Sequence, residues 1–520
     1  MTGSPATPPH GREGTIIPVE QGGVTILCAH AFLAILAALG LRLLFILQFP
    51  GSAEDSSLYL QLARAWADHH VYGFWLDGHL LPTDLRAPGY PAFLAGVAML
   101  FGRSMRAILL SQAGLDVLSC FLTAALAWTL AAASSRRRVS IIALWLAATC
   151  PFVANYTAVA LTETLVTFLA TAALVCFALG LRGEFAALEL RDLGNHATPF
   201  AWALLGAFLT GLASLVRPEM PLLLGVAIVV YALRDARTLG ARKTGFLAAA
   251  MAGAFLLPLL PWAARNLITL KKVQLISTRY ANLPGEYTPV GFYAWTGTWL
   301  ERYRDIYFTI WKIGEMDQPL DVDELPSSAF DSPEEKARVA DLFAEYNETP
   351  NLEFTPELDG KFAEIARERT RRHPFRTYVR VPFERALTIW FTPRTELLPV
   401  EGKIWPIREQ WEDSHANVLV TGGFAALGYL YVALAIGGVW LAWSAREGRS
   451  ASGAALGPNF WGIALLLAYF LVRTAFLTTV EAPEPRYVVS CYPGVLALIA
   501  LLGARREKRR EAMQGMNASK

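Results

Sequence analysis

Charge is scarce in this chain. Of 520 residues only 17% are Asp, Glu, Lys or Arg, and 46 basic residues nearly balance 44 acidic ones, for a net charge of +2. So flat a balance gives no electrostatic footprint for nucleic acid, and that class of partner is excluded. Cysteine is scarce as well. Cys28, Cys120, Cys150, Cys176 and Cys491 lie far apart in apolar stretches, with no C-x-x-C pair. They read as buried thiols, not as a disulfide or zinc framework. The chain carries no G-x-S-x-G, no P-loop and no G-x-G-x-x-G fingerprint, so a nucleotide-sugar donor and a cytoplasmic active site are not expected. The N-terminus lacks the charged, apolar and small-residue regions of a signal peptide, and residues 1–22, rich in Pro and Gly, are expected to be disordered. His69, His70 and His79 with Asp68, Asp77 and Asp84 fit no metal-ligand spacing and read as a solvated loop. The sequence demands no cofactor and leaves a divalent metal open.

What the chain has is apolar length. It is 54% hydrophobic, with a mean hydropathy of +0.35, and its apolar runs approach the length that crosses a bilayer. Ten segments stand out: 24–48, 107–133, 139–154, 161–181, 199–216, 219–234, 245–262, 416–443, 459–479 and 487–503. The apolar piece 90–101 is too short to span and is expected to be re-entrant or interfacial; the alternative is that it crosses and another segment does not. Basic residues cluster after alternate segments, at Arg136, Arg137 and Arg138; at Arg234, Arg237, Arg242 and Lys243; at Arg446 and Arg449; and from Arg505 to Arg510. With these inside, both termini are cytoplasmic and two long loops, about 50–106 and 263–415, lie outside. Within the second loop, 333–346 and 357–373 have the pattern of amphipathic helices that start near Pro333 and Pro356. The predicted fold is all-α and polytopic, with about ten transmembrane helices (roughly nine to twelve) and short helices in two extracytoplasmic loops.

Several charges fall inside or at the ends of these segments: Arg42, Asp116, Glu163, Arg217, Glu219, Arg265 and Arg473. Intramembrane charges are costly and tend to mark function. Nearly all lie toward the outer side, and acids recur beside bases, as in Arg217 with Glu219 and Glu484 with Arg486. Snorkelling accounts for single residues, but the set predicts a polar cavity that opens outward.

The densest chemistry is in the first outer loop, where Ala53-Glu54-Asp55-Ser56-Ser57-Leu58-Tyr59 is followed by Arg86 and by Pro88-Gly89-Tyr90-Pro91. Asp55 is the candidate catalytic base and Glu54 its possible substitute, because transfer to a hydroxyl needs a carboxylate within hydrogen-bond reach of the attacking oxygen. An ordinary helix cap is the rival reading of Asp55. Arg86 offers two hydrogen bonds to a phosphate; its rival reading is an interfacial anchor. Glu163 in Leu161-Thr162-Glu163-Thr164, Arg265 in Pro261-Trp262-x-x-Arg265-Asn266, and Arg486 in Glu484-Pro485-Arg486-Tyr487 complete the set.

These motifs, in this order, resemble the GT-C glycosyltransferases, nearest the lipid A aminoarabinose transferase and protein O-mannosyltransferase group. There an acid, a Tyr four residues later (here Tyr59) and a basic residue before a proline turn form the active site. The P-W-x-x-R-N pattern, the following Ile276-Ser277-Thr278 and Asn282, and E-x-R-Y fit the same group. The resemblance runs from about Leu41 to Ala504 and is weakest over 285–415. It implies an inverting transferase that moves a sugar from a polyprenyl-phosphate donor to a glycan, lipid or protein acceptor, at the outer face of a bacterial inner membrane. It implies Asp55 as the catalytic base with Glu163 as the second catalytic carboxylate, orienting the acceptor or Arg86, and Arg86, Arg265 and Arg486 as phosphate ligands, with Glu54, Tyr59, Arg217, Glu219 and Glu484 in the cavity. Two rivals stay open: a lipid-linked sugar transporter or flippase without chemistry, and a ligase or polymerase of the O-antigen type.

Overall fold

A computed structural model describes residues 21–51, 53–76, 78–182, 193–280, 286–314, 318–447 and 458–504. Most of residues 1–22, the 505–520 tail, Asp77 and Asn282 lie outside the described residues, and the side chain of Glu54 is likewise not described.

The apolar segments are helical, as their composition requires. Leu27–Gln48, Met105–Leu130, Glu163–Gly180, His415–Ser444, Asn459–Leu477 and Pro485–Ala504 are each long and apolar enough to cross a membrane. At 1.5 Å per residue, the 26 residues of Met105–Leu130 extend about 39 Å, longer than a hydrocarbon core of about 30 Å. Two further candidates are bent pairs. Ala133–Ala148 and Pro151–Ala158 meet at 49°, and Gly240–Leu256 and Leu260–Leu270 meet at 54°. Pro151 explains the first break and Pro258 the second, since proline cannot donate to the helical ladder. Among the described residues there are therefore six such helices, or up to eight if each bent pair is one span. The expected segments 199–216 and 219–234 fall in helices Leu193–Ser214 and Pro221–Leu256; the latter turns at Gly240, whose φ of 74° suits glycine. Gly89–Phe101, at the place of the 90–101 segment, is a short apolar helix.

One large apolar core runs through the bundle, with Phe152, Phe177, Tyr231, Leu466 and Tyr492 all but fully buried. A second, separate core lies in the loop 286–372. It is aromatic: Phe292, Trp295, Trp299, Phe343, Tyr346, Phe354 and Phe362 pack together. The two helices expected there appear as Pro333–Asn347 and Pro356–Arg372. Each starts with proline in its first turn. Ser332 Oγ accepts from Glu335 N, and Thr355 Oγ1 accepts from Leu358 N. Asp359 caps a third helix, Val290–Thr296, accepting from Gly291 N at 2.9 Å and Phe292 N at 2.8 Å. A Cβ on Gly291 would stand 2.1 Å from the Asp359 carbonyl, so that approach requires glycine.

Candidate active site

The first outer loop folds as a helix, Glu54–His69, and a two-stranded hairpin, Gly73–Leu76 against His79–Pro82. Tyr72 and Thr83 close the base of the hairpin, where Thr83 N donates to Tyr72 O at 3.1 Å. Arg265 clamps the same place, donating to Thr83 O at 2.8 Å and Tyr72 O at 2.5 Å. Its guanidinium lies over the Trp262 and Tyr72 rings. The Tyr72 hydroxyl in turn donates to Arg86 O at 2.9 Å and fixes the backbone of the residue that matters. The Pro88-Gly89 turn then docks on the bundle through Gly89 N to Leu215 O at 2.7 Å, two residues before Arg217. A Cβ on Gly89 would sit 2.6 Å from the Leu215 carbonyl.

Asp55 is in the first turn of its helix but is not its cap. The N-cap residue is Ala53, and no side chain caps the turn. Instead the Asp55 carboxylate bridges two arginines. Oδ1 accepts from Arg86 at 2.8 Å and Oδ2 from Arg486 at 3.2 Å. Arg486 also pairs with Glu484 at 2.7 Å and approaches Glu163 to 4.0 Å. Glu163, with a side chain only 2% exposed, holds Arg217 in a short ion pair. Arg217 Nε donates to Thr162 Oγ1 at 3.0 Å, and its other arm reaches Glu219 at 3.8 Å. Glu219 ends the series on Arg473 at 3.0 Å. The result is one continuous chain, Arg86–Asp55–Arg486–Glu163–Arg217–Glu219–Arg473, with Glu484 as a branch. Four carboxylates and four guanidiniums alternate, so the formal charge cancels. Tyr487 braces it: its ring lies under Arg217 and Arg486, and its hydroxyl donates to Glu484 at 2.9 Å.

Exposure is highest at one end of the chain, 29% for the Arg86 side chain and 21% for Asp55, and lowest at the other, 1% for Arg473. The accessible end is therefore the Asp55–Arg86 pair. Burial acts to raise the pKa of Asp55, but Arg486 and Arg86 outweigh it and hold the carboxyl below its usual range. Tyr59 lies one helical turn on. Burial, helped by the Asp55 charge, pushes its hydroxyl up to about 12, so it stays protonated.

Of the sequence-predicted residues, Asp55, Glu163, Arg86, Arg486, Arg217, Glu219 and Glu484 come together, with Tyr59 beside them. Arg265 does not join the chain: its donors are spent on carbonyls under the hairpin. Arg473, which the sequence marks only as an intramembrane charge, closes the series. Arg42 and Asp116 form a separate pair at 2.8 Å, and Arg42 also donates to the Ala147 and Ala148 carbonyls that end another helix. They serve a helix end, not the outer cavity foreseen for them. Among the described residues no three His, Cys, Asp or Glu side chains are placed to hold a metal ion. Asp68 instead pairs with Arg103, and Asp84 with Lys272 at 3.5 Å.

No family model and no curated protein matches this chain. Among solved structures, it is similar to the Archaeoglobus fulgidus oligosaccharyltransferase AglB in complex with an inhibitory peptide and a dolichol-phosphate. That match has 12% identity over 96% of this chain and 52% of the other, with a TM-score of 0.48. It is also similar to Cupriavidus metallidurans ArnT bound to undecaprenyl phosphate, at 13% identity over 94% of this chain and 79% of the other, with a TM-score of 0.36. The chain spans about half the length of the oligosaccharyltransferase it matches.

Proposed function

We propose that this chain is a GT-C-type inverting glycosyltransferase that moves a sugar from a polyprenyl-phosphate donor to an acceptor hydroxyl at the outer face of a membrane. The loops 50–106 and 263–415 then lie outside, and residues 1–22 and 505–520 inside. The observation that carries the reading is the Asp55 carboxylate held between Arg86 and Arg486 at the exposed end of a charge-balanced chain. A base and an anion-binding pair sit in contact, where a lipid phosphate and an acceptor would meet.

The chemistry follows from the geometry. The donor is a sugar phosphate ester, so its leaving group is a phosphate that gains negative charge as the glycosidic bond breaks. Arg86 and Arg486 stabilise that charge by bidentate, charge-assisted hydrogen bonds. As they turn to the phosphate they release Asp55. Its carboxylate, no longer neutralised, becomes a stronger base and takes the proton of the attacking hydroxyl. Attack on the face opposite the phosphate inverts the anomeric carbon. Glu163 and Glu484 hold Arg486 in place while Asp55 is engaged elsewhere. Arg265 acts one step removed, by fixing the hairpin that presents Arg86.

Alternating access in a transporter needs polar groups reachable from both sides, whereas this charge chain is gathered at one end of the helices. The test is product formation: purified protein in detergent is given polyprenyl-phosphate and polyprenyl-diphosphate sugars side by side with candidate acceptors. A new glycosidic bond from the monophosphate donor is the expected result. Movement of intact donor across liposomes without a new bond would replace this reading with the transporter, and use of the diphosphate alone would replace it with a ligase.

A further inference from the structure

At the end of the bundle away from Asp55, helices Met105–Leu130, Arg136–Ala148 and Glu163–Gly180 leave an apolar cavity of about 340 Å³. Ala124, Ala125, Thr129, Ser140, Val175 and Leu179 line it, together with Trp128, which is 40% exposed. Two guanidiniums lie over the Trp128 ring, Arg136 at 4.5 Å and Arg182 at 5.1 Å from its centroid. Arg182 also donates to the Trp128 carbonyl at 3.1 Å. Neither arginine is ion-paired with a carboxylate among the described residues. Arg136 Nε and Ser140 Oγ are both buried without a hydrogen-bond partner.

We propose that this cavity binds an anionic phospholipid of the leaflet opposite the candidate active site, with one acyl chain in the cavity and the phosphate against Arg136 and Arg182. Three observations converge on that occupant. The cavity wall is apolar, so it suits hydrocarbon and not a soluble anion. Two cations stand beside it with an aromatic ring beneath them and, among the described residues, no carboxylate partner; an anionic headgroup supplies that charge. Ser140 lines the cavity with its Oγ unpartnered, and Arg136, over the Trp128 ring, has its Nε unpartnered; phosphate or glycerol oxygens would supply partners to such atoms, since buried polar atoms are rarely left unpaired. Snorkelling alone would place the guanidiniums in water and needs neither a cavity nor a buried Nε. A zwitterionic lipid carries its own cation and gains less from the pair.

The test uses the full chain purified in detergent, with phosphatidylglycerol, phosphatidylcholine of the same acyl chains and inorganic phosphate as probes. Native mass spectrometry reads retained lipid and thermal unfolding reads stabilisation. Phosphatidylglycerol is expected to be retained and to raise the melting temperature, with little effect from phosphatidylcholine or inorganic phosphate. Arg136→Ala and Arg182→Ala should each weaken phosphatidylglycerol binding by about 5-fold and together by about 30-fold. Ala125→Leu, which fills the cavity and leaves both arginines, should weaken it as well. Equal retention of the two lipids, or phosphatidylglycerol binding unchanged in the double variant, would overturn the proposal. Unchanged binding in Ala125→Leu would overturn the acyl-chain half of it. Displacement of the lipid by inorganic phosphate would show a headgroup site alone and overturn it too.

Discussion

Replacing Asp55 with Asn separates the two jobs assigned to its carboxylate. The amide keeps the shape but removes one negative charge from between Arg86 and Arg486, and it cannot accept a proton. Loss of a positioned general base costs about 10²- to 10⁴-fold in turnover. Donor binding should move the other way. Unit charges about 4 Å apart interact by roughly 4 kcal/mol at an effective dielectric near 20. About a third of that, surviving in a site this open to water, is ~1.4 kcal/mol, or tenfold in affinity. Without the competing carboxylate, the two arginines should bind a lipid phosphate about tenfold more tightly. Stability should fall modestly. A charged hydrogen bond contributes about 1.5–3 kcal/mol at most, and Asp55 and Arg86 are 21% and 29% exposed, which puts the loss at the low end of that range. Turnover, the dissociation constant of undecaprenyl phosphate and the melting temperature are measured on the same preparations. Transfer within twofold of the parent, or donor binding that weakens in step with turnover, would refute the reasoning and leave Asp55 as a structural ion-pair partner.

Other outcomes follow from the same geometry. Arg86→Ala should cut turnover by about 10²-fold or more, and Arg86→Lys should restore part of it, because charge returns without the bidentate fork; lost stability with normal turnover would make Arg86 an anchor. Glu219→Gln should destabilise the protein by about 3–5 kcal/mol, since it strands Arg473, 1% exposed, without its carboxylate; a melting temperature within a degree of the parent would contradict that. The Asp55 carboxyl is held below its usual range, so its contribution to stability is fully present above the unfolded value near 3.9 and is lost only as pH falls through the lower folded value. Thermal melts between pH 7 and 5 should therefore show no loss that Asp55→Asn removes. Gly291→Ala should loosen the outer aromatic core, because its Cβ would overlap the Asp359 carbonyl; proteolysis of the 286–372 region would report it.

Local pattern was enough for much of this protein. Apolar length predicted the helices, and Pro333 and Pro356 marked the starts of two amphipathic helices of the outer loop, since proline is tolerated in a helix's first turn. The sequence also singled out Asp55, Arg86 and Arg486 through short motifs that resemble a known family, and Glu163 through a motif and as a charge at the end of an apolar segment, where charge is costly. It did not say who pairs with whom. Asp55 meets Arg486 across 431 residues, and Glu219 meets Arg473 across 254. Arg42, Arg265 and Arg473 looked alike in the sequence, each one arginine near a span end. The fold sent the first to Asp116 and a helix end, the second to two carbonyls beneath a hairpin, and the third to the buried terminus of the ion-pair chain. A charge in an apolar segment declares its own cost through hydropathy, which is local. The partner that offsets that cost is fixed by distances of a few ångströms, and only the packing of the helices sets those.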